Sequence, residues 1–213
     1  MKNAPAAFAR LLRGGFLAAA CVVMTALGGC DRLGPAFGLT GRVDQVPPQP
    51  IASERLRVVL PATGADATLA PVSRNGDVTV WQTLDGITVS FRRGVLIATR
   101  GLGDDLMSSD VEGTLAMLRG ANTQAYYPQI RSYLDGEDQT RFRSYQCRRS
   151  ERAQERVGLG DETRNLRRVT EHCVSPDAEA TNTYWLDQAG NVVMSRQWVR
   201  PGTGYMQTQY VRQ

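Results

Sequence analysis

Alternation of apolar and polar residues, cut at short intervals by glycine-bearing turns, restricts the fold of this chain more than any other feature. Residues 77–101 read "DVTVWQTLDGITVSFRRGVLIATRG", in which Ile87, Val89 and Phe91 alternate with Thr88, Ser90 and Arg92. Period two puts every second side chain on one face of a strand, and Asp85-Gly86 and Arg93-Gly94 supply tight turns on either side. The segment is expected to form a three-stranded meander. Residues 181–211, "TNTYWLDQAGNVVMSRQWVRPGTGYMQTQYV", repeat the plan with turns at 187–191 and 201–204. Only 104–120, "DDLMSSDVEGTLAMLRG", spaces its apolar residues as a helix does, through Leu106, Met107, Val111, Leu115 and Leu118, with Gly113 weakening it. An antiparallel sheet with one apolar face must curl or pair to bury it. The expected fold class is all-β and mainly antiparallel: a curved sheet, open barrel or sandwich with one or two short helices, the helical segment covering one opening.

The chain's first residues belong to a different regime. Lys2, Arg10 and Arg13 form a basic leader ahead of an apolar run from Phe16 to Leu27, which is signal-peptide anatomy. The run is shorter than the roughly 20 residues that span a bilayer. Leu27, Gly28, Gly29 and Cys30 resemble the bacterial lipobox, an aliphatic residue and two small ones before the cysteine that takes the acyl chains. The expected organisation is a leader over 1–29, a lipid-anchored tether over 30–52 and one β-rich periplasmic domain over 53–213. Pro35, Pro47, Pro48 and Pro50 make the tether proline-rich, hence partly extended.

With Cys21 in the leader and Cys30 lipidated, Cys147 and Cys173 remain as an even pair in an oxidising compartment, where a disulfide is expected. The runs around them flank "GLGDE", residues 158–162. A hairpin folded about Gly160 sets opposite each other residues whose numbers sum to 320. Cys147 then faces Cys173, Arg149 faces Glu171, and Arg152 faces Arg168, a like-charge pair that invites a register slip near the tip. A metal or redox site would need closer cysteine spacing.

Charge narrows the partners. The leader holds three of the 25 basic residues and none of the 21 acidic ones, leaving 22 against 21, a net charge of +1. Arginines and carboxylates are interspersed, without the concentrated basic surface of a nucleic-acid binder. Lys2 is the only lysine, so every later basic side chain is arginine. That choice suits bidentate recognition of carboxylates, as in an acidic polysaccharide, and equally follows from arginine-biased codon usage.

Catalytic constellations are weak. His172 adjoins Cys173 without a nucleophile motif. Asp104 and Asp105 superficially suggest the carboxylate pair of glycoside hydrolysis, but capping at a helix start is the simpler reading. No P-loop or histidine-rich metal motif is present, and no cofactor is expected. Trp81, Trp185 and Trp198 fall on expected strands, as do Tyr184, Tyr205 and Tyr210; the tryptophans are candidate glycan or partner contacts, set against ordinary strand packing.

Residues 80–109, "VWQTLDGITVSFRRGVLIATRGLGDDLMSS", resemble the YjbF/GfcB lipoproteins associated with group 4 capsule and exopolysaccharide operons. The core of the likeness is "GVLIATRGLGDDL", with Trp81 before it and Asp105 and Leu106 at its end, and the β-rich remainder extends it over most of 50–211. The resemblance implies a non-enzymatic accessory role in polysaccharide production or export. The implied partners are a periplasmic protein of the GfcC type, an outer-membrane β-barrel, the export channel and the polysaccharide itself. Asp31 resembles an inner-membrane retention signal, whereas the family's association with an outer-membrane barrel favours an outer-membrane anchor. The alternatives are a glycan-modifying enzyme, which requires convergent carboxylates in a cleft, and a lipid carrier, which requires a deep apolar cavity.

Overall fold

The computed structural model describes residues 54–212 apart from 121–124, 135–136, 138 and 161. The expected leader over 1–29, the lipidation site Cys30 and the tether over 30–52 lie outside the described residues. Both meanders form as the alternation predicts: β3 (Val78–Gln82), β4 (Thr88–Arg92) and β5 (Val95–Arg100), then β10 (Ala178–Leu186), β11 (Val192–Arg200) and β12 (Gly204–Arg212). Ahead of the first lie β1 (Glu54–Leu60) and β2 (Ala65–Asn75). Between the meanders come β6 (Leu106–Ser109), α1 (Glu112–Leu118), β7 (Tyr127–Leu134), β8 (Thr140–Leu159) and β9 (Glu162–Ser175).

All twelve strands join one antiparallel sheet in the order β5-β4-β3-β2-β1-β12-β11-β10-β9-β8-β7-β6. Its two edges, β5 and β6, are consecutive in the chain, so the loop over 101–105 draws them together and the sheet curls into a nearly closed barrel. Side chains make the seam. Thr99 Oγ1 donates to Asp105 Oδ1 (2.8 Å) and accepts from the Leu106 N–H (3.1 Å), and Arg100 donates to the Leu106 carbonyl (3.0 Å). Asp105 also accepts from the backbone N–H groups of Gly101 (2.7 Å) and Leu102 (3.1 Å). Across the lumen, the Gln197 amide of β11 accepts from the Leu96 N–H and donates to the Gly94 carbonyl, both at 2.9 Å. An unpaired strand edge exposes such groups; here a side-chain amide replaces a neighbouring strand.

This seam corrects the reading of 104–120. Residues 106–109 are a strand, because Leu106 pairs with Tyr133 and Ser109 with Arg131 of β7, and the helix is confined to Glu112–Leu118. Asp104 and Asp105 therefore cap no helix. Asp105 organises the loop, and Asp104 binds Arg200 (2.8 Å), whose guanidinium also donates to the Leu102 carbonyl (3.1 Å).

The lumen carries two apolar clusters. One gathers Leu56, Leu69, Trp81, Phe91, Leu96 and Met206. The other packs Leu115 and Met117 of α1 against Tyr127, Tyr145, Val169, Tyr184 and the disulfide.

Cys147 and Cys173 are direct partners across β8 and β9, with Cα atoms 4.0 Å apart and the sulfurs bonded. From 146 to 149 the register follows the sum expected for a fold about Gly160; a bulge between Arg149 and Glu151 then shifts it by one, so Arg152 faces Val169 instead of Arg168. The slip removes the like-charge opposition. Arg168 instead donates to Glu151 (2.5 Å) and lies 3.3 Å from Glu155. Arg149 and Glu171 do stand opposite each other, but Glu171 turns to other partners, as described below. A free-thiol titration of the denatured, unreduced protein is expected to find neither Cys147 nor Cys173. Reduction is expected to cost about 3–4 kcal/mol of stability, the loop-entropy value for a closure of this length. Two reactive thiols would contradict the bridge.

Candidate functional site

The site grows from one buried carboxylate. Glu171 continues the inward positions of β9 between Val169 and Cys173 and has no exposed surface. Its Oε1 accepts from the Thr114 hydroxyl of α1 (2.6 Å) and from the Tyr127 hydroxyl; its Oε2 accepts from Asn182 Nδ2 (2.7 Å) and the Tyr184 hydroxyl (3.4 Å). Burial, then the Glu171 charge, push the Tyr127 and Tyr184 phenols well above the ordinary tyrosine range. The network continues outward. Gln129 donates to Thr114 (3.3 Å), Arg131 donates to Gln129 (3.0 Å) and to the Trp198 carbonyl (2.7 Å), and Asn182 accepts from the Trp198 N–H (2.8 Å). One carboxylate thus ties α1, β7, β9, β10 and β11 together, as buried polar groups require for their satisfaction.

Fixing Thr114 also fixes the next turn of α1, and that turn lines an open cavity of about 1290 Å³ at one end of the barrel, through Leu115, Leu118 and Arg119. The turns β2–β3, β4–β5, β8–β9 and β10–β11 and the start of β1 gather around it. Among the described residues, six arginines and four carboxylates line it. Glu54 pairs with Arg74, Glu162 with Arg164 (2.5 Å), and Asp187 accepts from the Asn191 N–H of its own turn (2.8 Å). Asp77 takes Arg92 (2.9 Å) and lies 3.2 Å from Arg93; the Arg92 hydrogen bond holds its carboxyl below the usual range. Each of these four carboxylates is therefore engaged. Arg57 is paired with Asp66 (2.6 Å), while among the described residues Arg167 reaches only the Leu118 carbonyl (3.4 Å). Chemically, such a lining can hold an anion.

The three tryptophans separate. Trp81 of β3 is inward, 1% exposed, in the cavity wall, and stacks edge-to-face on Tyr210 at 5.6 Å. Trp185 is half-buried and donates to Glu155 (3.0 Å), beside a shallow groove shared with Met194 and Arg196. Trp198 is partly buried and stacks on Tyr205 at 5.1 Å. They form no common platform. His172 stands between Arg148 of β8 and Thr181 of β10. Among the described residues, the one cluster of metal-ligand types is Cys147, Glu171 and Cys173, and its sulfurs are joined to each other.

Sequence reasoning noted the preference for arginine without locating it, weighed Tyr210 only as one strand aromatic among several, and missed Glu171, Arg119 and Arg167 as members of a site. The signal for Glu171 lay in plain view: a charged residue at an inward position of an alternating strand.

No curated protein significantly matches the chain. Among solved structures, the hypothetical lipoprotein YmcC from Escherichia coli K12 shares the fold, with a TM-score of 0.58 at 15% identity over 75% of this chain and 84% of that one. A Bacteroides fragilis protein described as exported, with a YmcC-like fold, aligns at a TM-score of 0.31 and 9% identity over 75% of this chain and 93% of its own. The family model for group 4 capsule polysaccharide lipoproteins matches residues 43–211, from just before β1 almost to the end of β12. It spans the whole barrel, including the "GVLIATRGLGDDL" seam, and the chain belongs to this GfcB/YjbF family.

Proposed function

We propose that this chain is a lipid-anchored periplasmic accessory of capsule or exopolysaccharide production or export, acting by binding rather than by catalysis. The observation that carries the reading is the family match over 43–211. In this reading Cys30 takes the lipid, and the outer membrane holds the anchor. A domain so held works by raising the local concentration of what it binds. Its partners are the export machinery, a periplasmic accessory protein and outer-membrane barrel, together with the polymer. The cavity lining supports polar ligands over acyl chains, since arginines and carboxylates dominate its rim. Asp77, held ionised by Arg92 and Arg93, is unsuited to the protonated-acid role that glycan hydrolysis requires of one carboxyl, which speaks for binding. A clean deletion strain, grown under polymer-producing conditions, is expected to release less polysaccharide, and the wild-type gene to restore release. Unchanged released and cell-retained polymer would overturn the reading.

A further inference from the structure

The cavity is not neutral, and its charge is not fully used. Of its six arginines, Arg57, Arg74, Arg93 and Arg164 each face a carboxylate. Arg119 and Arg167 face none among the described residues. Arg119 is exposed at the C-cap of α1. Arg167 lies beneath that helix end, with its Nε buried and without a hydrogen-bond partner. Two guanidinium groups lining one cavity, both short of an acceptor, match a ligand bearing carboxylates, which arginine binds in a bidentate fork.

A second observation is independent of charge. Trp81 is 1% exposed, lies in the cavity wall, and its indole Nε1–H has no acceptor. Tyr210, half-buried, packs edge-to-face on that indole and lines the same cavity, so aromatic surface shares the wall with the two arginines. At about 1290 Å³ the cavity exceeds the roughly 300–1,000 Å³ of a site for one small molecule. It has room for several linked sugar units.

We propose that this cavity binds a segment of an acidic polysaccharide, with uronate carboxylates on Arg119 and Arg167. The inference rests on the polysaccharide role proposed above and names the chemistry that role recognises.

The test uses the full-length lipoprotein in detergent micelles, titrated calorimetrically with tri-galacturonate and with maltotriose as the neutral counterpart. Tri-galacturonate is expected to bind, more weakly as salt is raised, and maltotriose at least tenfold more weakly. Arg119→Gln/Arg167→Gln is expected to lose at least tenfold in affinity for tri-galacturonate. Arg119→Gln alone, at an exposed position that leaves the fold intact, is expected to lose at least threefold. Arg148→Gln, over Tyr126 on β8 and away from the cavity, is expected to change nothing. Absence of tri-galacturonate binding, equal binding of the neutral sugar, insensitivity to the arginine variants, or binding of phosphatidylglycerol vesicles in place of the oligosaccharide would each overturn the proposal.

The outcomes separate it from the accessory role. If deletion lowers polymer release while the purified protein ignores tri-galacturonate, the cavity assignment falls and the accessory role stands. If tri-galacturonate binds in an arginine-dependent way while deletion leaves polymer release unchanged, the reverse holds.

Discussion

Replacing Glu171 with alanine is expected to destabilise the domain by about 3–5 kcal/mol, the range observed when one member of a buried charged network is removed. Four donors lose their acceptor at once: the hydroxyls of Thr114, Tyr127 and Tyr184 and the amide of Asn182. None of these residues is exposed enough for water to take over without opening the fold, and Thr114, Asn182 and Tyr184 are at most 1% exposed. Glu171→Gln keeps the shape but sets an NH₂ group against two donors, so an intermediate loss of about 1–3 kcal/mol is expected. The measurement is the midpoint of denaturant unfolding. Glu151→Ala is the comparison, because Glu151 pairs with Arg168 while half-exposed, where a salt bridge contributes about 0–1 kcal/mol. Equal effects at 151 and 171 would show that the network contributes no more than a surface pair.

Gly94→Ala is expected to cost about 2–5 kcal/mol, from two sources that act together. Arg93 and Gly94 form the two-residue turn between β4 and β5, with φ of 49° and 85°, both positive as a type I′ turn requires. Alanine in that conformation carries about 1–2 kcal/mol of strain. A Cβ at 94 would also lie 2.5 Å from Val192 Cβ, a β-branched side chain held in the core, and overpacking of this kind costs about 1–3 kcal/mol. The same glycine offers its carbonyl to Gln197, so a shift of the turn loosens the closure of β5 against β11. Gly76→Ala, in the turn between β2 and β3, isolates the backbone term. Its φ is 58° and nothing lies near the position its Cβ would take. A denaturation midpoint for Gly94→Ala no lower than that of Gly76→Ala would refute the packing argument.

How much of this could be foreseen differs from element to element. The meanders over 78–100 and 178–212 were legible because alternation and turn chemistry act within a few residues. Cys147 and Cys173 were legible as partners because a hairpin register is arithmetic, anchored at Gly160. The arithmetic failed beyond Arg149. A bulge moves every later pair, and it exists where inward packing and the Arg168–Glu151–Glu155 contacts favour it, not where a propensity marks it. The helical spacing over 104–120 was half wrong for a related reason. Leu106 has a strand to pair with only once β7, beyond α1, has folded back beside it, and that hydrogen bonding overrides a weak helical pattern.

Gly113 shows the difference most directly. By propensity it weakens α1; in the fold, a Cβ there would sit 2.3 Å from the Tyr127 ring, which its hydroxyl pins to Glu171. The residue that harms the helix locally is the one that lets the helix dock.

What the sequence determined by itself was a β-rich chain with two meanders, a bridged hairpin and the thread that marks its family, all encoded over short distances. What only the tertiary structure decided was where the charges and rings meet. Trp81, Arg119, Arg167 and Tyr210 come from four separate parts of the chain, and Trp185 and Trp198 fall elsewhere. Side chains so far apart in sequence share a cavity only because closure of the sheet brings its turns to one end, and no local pattern records where a closed surface ends.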